Sequence, residues 1–305
     1  PYLPARSGCL TVLLLDYLAA NPAALILVCV LFGLLVGSFL NVVIHRIPKM
    51  MEATWRQEAR ELLDQPAPKG EAEPAIFNLV TPGSHCPHCN HRIRWYENVP
   101  VVSWALLKGR CSGCKTAISK RYPIIELLTA LVAGLCAWRF GYDPWLIFML
   151  YGSFTLLALA VIDLDTTLLP DDLTYPLLWA GLLAAVLGIS PVSLSDAVIG
   201  AMAGYLALWS LYWVFKLLTG KEGMGYGDFK LMGALGAWLG WQALPQIVLL
   251  SAVVGAAVGI MLMLARKAEW SSRIPFGPYI AGAGWIALIW GEHINRVYLG
   301  VASVG

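Results

Sequence analysis

The sequence predicts an all-α polytopic membrane protein of about eight transmembrane helices, interrupted by one small polar insertion. Three observations carry this expectation. The chain of 305 residues is 58% hydrophobic and 13% charged, whereas a soluble domain averages about 25% charged. Its apolar residues fall in long, discrete runs. Its basic residues sort into alternate loops between those runs.

Pro22–Ile44, Pro144–Ile162, Leu173–Leu194 and Ala197–Phe215 contain no Asp, Glu, Lys or Arg. Each approaches or exceeds the ~20 residues needed to cross a bilayer. Leu231–Ala265 is uncharged over 35 residues. Gly240-Trp241-Gln242-Ala243-Leu244-Pro245 divides it into a short helix and a full one. Ile274–Gly291 supplies a last span, and Pro123–Phe140 another despite Glu126 and Arg139.

Orientation follows from the loops. One side holds segments 45–122, 163–172, 216–230 and 266–273, with 18 of the 21 Lys and Arg. The other side keeps Arg6, Arg139 and Arg296. The positive-inside rule makes the first side cytoplasmic and places both termini outside. No basic stripe of the kind nucleic acid requires is present, which excludes that class of partner. Leu10–Leu15 leads into Asp16 and Pro22 without a small-residue cleavage site, so it reads as a preceding segment, not a cleaved signal peptide. The organisation expected is an N-terminal segment 1–21, a first span 22–44, an insertion 45–122 and a membrane core 123–305.

Within the insertion, Met50–Glu73 has charges at helix-face spacing, and Pro66-Ala67-Pro68-Lys69-Gly70 ends the pattern. Cys86-Pro87-His88-Cys89 and Cys111-Ser112-Gly113-Cys114 follow, separated by 21 residues. Paired CxxC elements at about this separation predict a tetrahedral zinc site of Cys86, Cys89, Cys111 and Cys114. Cytoplasmic thiols stay reduced, which favours metal over disulfides. Four sulfurs close the coordination sphere, so the zinc is expected to be structural. His85, His88 and His91 are then surplus and expected to face solvent. Cys9, Cys29 and Cys136 sit in apolar context as small packing residues.

Two aspartates carry the candidate chemistry. Asp163 closes the apolar run Leu159-Ala160-Val161-Ile162, and Asp228 closes Gly225-Tyr226-Gly227 where another run begins. The topology puts both at one face of the bilayer, and ionisable groups at membrane depth usually mark a site. A helix C-terminus disfavours negative charge, which suits Asp163 as the proton-carrying member of a pair. Asp165 competes for that role. Asp171 and Asp172 follow Pro170 and read as helix-capping residues. Glycines at 223, 225 and 227 suit the close approach of another backbone, such as an extended peptide. The simpler reading is a glycine turn with Asp228 as N-cap. Lys230 adds a charge that can tune the site. No His-Glu-x-x-His and no Gly-x-Ser-x-Gly occurs, so paired carboxylates remain as the hydrolytic machinery.

These motifs together resemble one family. Gly37-Ser38-Phe39-Leu40-Asn41-Val42-Val43-Ile44-His45-Arg46-Ile47-Pro48, the two CxxC pairs, Lys120-Arg121-Tyr122-Pro123 with Glu126, the turn from Asp163 to Leu169-Pro170-Asp171, Gly225–Lys230 and Pro275-Phe276-Gly277-Pro278-Tyr279 occur in the order found in type IV prepilin leader peptidases, GxGD-type membrane aspartic proteases. The resemblance implies Asp163 and Asp228 as the catalytic pair in a protease core. Gly225, Gly227, Lys230, Pro275 and Gly277 become its supporting residues. It implies prepilin and pseudopilin precursors as substrates, cut at the cytoplasmic face of the bacterial inner membrane. It also implies N-methylation of the new amino terminus from S-adenosylmethionine, for which no strand–glycine loop–helix is visible. The insertion is the natural suspect for that second site. Two rivals remain: a membrane transferase holding Mg²⁺ on the acidic turn, and a non-enzymatic zinc-bearing scaffold or transporter.

Overall fold

A computed structural model describes residues 15–64, 77–265 and 275–298. The segment 1–14, the Pro66–Gly70 terminator and the basic stretch 266–273 lie outside them. The described residues are helical, with no named strand, and two isolated β-bridges in the insertion. The chain forms two compact units, Pro1–Leu146 and Ile147–Gly305.

The first unit is built on α1, Pro22–Leu62, and α3, Arg121–Phe140. Pro22 opens α1 where a missing N–H costs nothing. The helix then runs 41 residues through Pro48 into the charged stretch, without a break. The two helices meet through small residues. A Cβ added at Gly33 would sit 2.8 Å from the Ala130 Cα, and one at Gly37 would sit 2.7 Å from the Glu126 Cα. Lipid gives helices no hydrophobic reason to associate, so backbone proximity of this kind supplies the packing. Asn41 adds a clamp, its side-chain N–H groups donating to the Gly37 and Tyr122 carbonyls at 3.1 and 3.2 Å. Between the helices lie the short α2, Val102–Leu106, and the two cysteine turns.

The second unit comprises most of α4, Pro144–Thr166, with α5, Asp171–Val186; α6, Leu194–Thr219; α7, Tyr226–Leu239; α8, Leu244–Leu264; and α9, Gly277–Tyr298. Its hub is α7. From Asp228 to Trp238 every residue except Lys230 is buried. The Trp238 indole donates to the Leu177 carbonyl at 2.8 Å and fills the space left by Gly152 and Gly181. On another face, Gly236 and Gly200 bring the backbones of α7 and α6 into mutual contact, and a Cβ on either would strike the other's carbonyl. Rigid backbone cannot yield as a flexible side chain can. Gly236→Ala is therefore expected to destabilise the protein by about 2 kcal/mol or more, read as a lower thermal midpoint in detergent.

Among the described residues, five helical stretches are long and apolar enough to cross a membrane: Pro22–Leu62, Arg121–Phe140, Pro144–Thr166, Leu194–Thr219 and Trp241–Leu264. The expected count of eight is not reached on those grounds. At 16 and 14 residues, α5 and α7 are too short for a ~30 Å hydrocarbon layer at 1.5 Å per residue. Protein, not lipid, surrounds most of α7. The break expected after Leu239 is present: Gly240 takes φ +75°, a 3₁₀ turn follows, and Pro245 lies in the first turn of α8.

Candidate functional site: two aspartates around Leu169

Asp163 lies in the last turn of α4 and is 4% exposed; Asp228 lies in the first turn of α7 and is 6% exposed. Each takes an N–H from the start of a helix. The Gly277 amide, the first of α9, donates to Asp163 Oδ2 at 2.9 Å. The Gly225 amide donates to Asp228 Oδ2 at 3.1 Å. Helix N-termini carry unsatisfied N–H groups and partial positive charge, so a carboxylate is well received at both places.

Leu169 ties the two together. A Cβ at Gly277 would stand 2.7 Å from Asp163 Oδ2 and 3.1 Å from Leu169 Cδ1. A Cβ at Gly227 would stand 2.7 Å from Leu169 Cβ. One leucine side chain therefore touches the glycine beside each aspartate, and the Asp163 charge acts on Asp228 electrostatically. Two carboxylates that share one site can hold a single proton between them, and a pair of that kind can serve as acid and base.

The turn between α4 and α5 explains how Leu169 gets there. The Thr167 amide closes α4 on the Asp163 carbonyl at 2.9 Å. Thr167 then enters the left-handed region at φ +55°, which turns the chain sharply. Pro170 precedes α5, and the Thr174 hydroxyl donates back to its carbonyl at 2.9 Å. Leu169 is left pointing between the two glycine segments. Nothing in its sequence context marks it, since it is one apolar residue among several.

The other predicted residues sort as follows. Asp165 is exposed, unlike Asp163. Lys230 binds both oxygens of Asp171 at 2.7 and 2.8 Å and lies over the Tyr175 ring, so its charge is already answered and locks α5 to α7. Asp228 does cap its helix, from the third position rather than the N-cap. The close approach expected at Gly227 is made by Leu169, not by open space for a backbone. Gly225 meets nothing nearer than Asp228 Oδ2 at 3.6 Å, so it leaves room beside the acid. Pro275 is half-buried, just ahead of Gly277. Gly277→Ala is expected to push the Asp163 carboxylate from its place and to cut any activity that depends on it about tenfold or more.

In the other unit, the four cysteine sulfurs lie within 4.8 Å of one another. Cys86 and Cys114 are 3.8 Å apart, and Cys89 and Cys111 are 3.9 Å apart. Bonds of about 2.3 Å to a tetrahedral ion require sulfur–sulfur edges of about 3.8 Å. Two of the six edges have that length and all lie within 4.8 Å, so the quartet is gathered closely enough to close on such an ion. Each half is built alike. The Cys86 amide donates to the His91 carbonyl and the Cys111 amide to that of Thr116, both at 2.9 Å. Asn90 and Lys115, directly after the second cysteine of each pair, take φ +54° and +61°. The Thr116 hydroxyl, 3.2 Å from Cys114 Sγ, leads the contacts that bring that thiol down to about 6. His85 and His88 are exposed, as expected, but His91 is not a free surface group. Its Nε2 lies 3.1 Å from Glu97 and 3.0 Å from the Ser112 hydroxyl. Ser112, then the Arg94 amide, hold the Glu97 carboxyl down at about 2. Among the described residues, the acids of the 163–172 turn form no metal-binding group; the cysteine quartet does.

Residues 31–140 match the family profile of the bacterial peptidase A24 N-terminal domain, and residues 150–260 that of the type IV leader peptidase family. The chain is 57% identical over 291 residues to the prepilin leader peptidase/N-methyltransferase of Pseudomonas aeruginosa, covering 95% of this chain and 99% of that protein. It is 60% identical over 269 residues to the protein of that name from Aeromonas hydrophila, covering 88% and 92%. Against that of Dichelobacter nodosus it is 49% identical over 274 residues, again covering 88% and 92%. No solved structure matches.

Proposed function

The chain belongs to the type IV leader peptidase family, and on that premise we propose that Asp163 and Asp228 are the acid and base of its peptidase. The protein cleaves the leader from prepilins and methylates the new amino terminus. The observation that carries the assignment is the pairing of two buried carboxylates, each on a helix-start amide, around Leu169.

One carboxylate removes a proton from water as the oxygen attacks the scissile carbonyl carbon. The other gives its proton to the carbonyl oxygen, whose negative charge is thereby avoided. Collapse breaks the carbon–nitrogen bond, and a proton moves to the departing amine. The open space at Gly225 lets the extended substrate lie beside Asp228. Asp171 and Lys230 are spent on each other and serve as a brace.

Zinc on Cys86, Cys89, Cys111 and Cys114 holds the insertion together. S-adenosylmethionine, when bound, supplies a methyl group from a sulfonium that the neutral amine takes while sulfur keeps the bonding pair. Pseudopilins share the precursor chemistry and are substrates in the same sense. The cysteine-bearing side faces the cytoplasm of a bacterial inner membrane, with both termini periplasmic, because 18 of 21 basic residues then lie inside. The Mg²⁺-transferase alternative needs the acidic turn to converge on a cation. Asp171 is instead paired with Lys230, and Asp165 and Asp172 are exposed.

The test is incubation of detergent-solubilised protein with a prepilin, with and without methyl donor. Mass spectrometry is expected to show leader loss in both samples and the added mass of one methyl group only with donor. An unchanged precursor from active-fold protein would reject the proposal.

A further inference from the structure

Residues 95–107 of the insertion carry one charged side chain, Glu97, and stand between Arg92 and Arg94 on one flank and Lys108 and Arg110 on the other. Glu97 is already held by His91 and the Arg94 amide. Thirteen such residues are too few to cross a bilayer but enough for a segment that dips into one leaflet.

The depth of this segment follows from the two long helices. α1 and α3 run antiparallel, with Asn41 on the Tyr122 carbonyl and Gly37 against the Glu126 Cα. Gly37 lies seven residues inside the charge-free run that ends at Ile44, about 10 Å along the helix axis. Glu126 shares that level, and its carboxylate accepts the Val101 amide at 2.7 Å. A glutamate side chain and one hydrogen bond together reach less than that depth, so Val101 stays on the apolar side of Ile44.

The backbone there is closed on itself. The Val99 amide donates to Ser103 Oγ and the Ser103 amide to the Val99 carbonyl, both at 3.0 Å. Pro100 has no N–H to satisfy, and Val101, at φ +61°, aims its own at Glu126. Non-helical backbone at membrane depth persists only where protein satisfies its polar groups. α2 then presents two faces. Ser103 is buried, and Trp104 packs inward on Gly109 with its N–H donating to the Ile118 carbonyl at 3.3 Å. Val102 and Leu106, one helical turn apart, are 53% and 79% exposed, and Trp95 just ahead is 83% exposed. Acyl chains cover side chains of this kind, while tryptophan favours the headgroup level and Arg and Lys reach up to the phosphates. Residues 77–120 contain six Lys and Arg against a single acid, a balance that an anionic leaflet attracts.

We propose that Trp95–Leu107 is an interfacial wedge, with Val102 and Leu106 among the acyl chains of the adjoining leaflet and its four flanking basic residues at the phosphates. The wedge anchors the cysteine turns to the bilayer surface. The inference rests on α1 and α3 crossing the membrane.

Photo-cross-linking of the full-length protein in vesicles of phosphatidylethanolamine and phosphatidylglycerol tests it. Leu106 or, in a second variant, Val102 is replaced by the photoreactive amino acid p-benzoylphenylalanine, and prepilin cleavage shows that each protein folds. Leu35, 63% exposed in the apolar run of α1, is the lipid-facing reference. Leu62, 85% exposed and 18 residues beyond Ile44, is the water-facing one. Mass spectrometry is expected to find lipid adducts at Leu106 and Val102 about tenfold or more above those at Leu62. Adducts at Leu35, with Leu106 and Val102 no higher than Leu62, overturn the wedge and leave the spans standing. Cross-links from Leu106 and Val102 to a second copy of the chain instead of lipid also overturn it. An absence of lipid adducts at Leu35 overturns spans and wedge together.

Discussion

Serine in place of Cys86 or Cys111 is expected to empty the metal site and unfold the insertion around it. Both side chains are buried, at 8% and 7% exposure, and they belong to opposite halves of the sulfur quartet. Besides the sulfurs, the two turns meet through Ser112, which bonds His91 and Glu97. Large apolar side chains nearby, among them Val80, Trp95 and Leu106, are 79–83% exposed. Such a small element lacks the apolar core to fold alone, and structural zinc typically contributes about 10–16 kcal/mol in such cases. Losing one of four thiolates removes a large share of that. Metal analysis of the purified variant is expected to show zinc well below one ion per chain, and limited proteolysis to cut between residues 77 and 120. Full zinc occupancy in both variants would refute a four-cysteine site. So would a wild-type protein that contains no zinc.

Much of this architecture is legible in the residues. Charge-free runs mark the helices because lipid tolerates no unsatisfied backbone, and Gly240 with Pro245 marks a break because neither continues a helix. The CxxC pairs predict the sulfur cluster because two-residue spacing turns both thiols to one side. Helix length was less legible. Composition cannot tell a short apolar helix buried in protein from one facing lipid, and α7 is the former. The site shows the same division. Asp163 and Asp228 stand out because charge at membrane depth is rare. Leu169 does not, since its importance lies in bridging Gly227 and Gly277, which are distant in sequence. The Asp171–Lys230 pair is likewise invisible until α5 and α7 are placed together. His91 looked like a surface residue because its partners, Glu97 and Ser112, come from different turns.

The most direct measurement of the central claim is prepilin cleavage by Asp163→Asn and by Asp228→Asn, each in detergent-solubilised full-length protein. Asparagine keeps the shape and can still accept the Gly277 or Gly225 amide, so the fold and the thermal midpoint should stay close to those of the parent. It cannot exchange the proton that the reaction requires. Each variant is expected to lose cleavage by about 10⁴-fold or more. The double variant should be no worse than either single one, because the two carboxylates act as a unit. Cleavage near the parent rate in either folded single variant would contradict the assignment of Asp163 and Asp228 as the working pair.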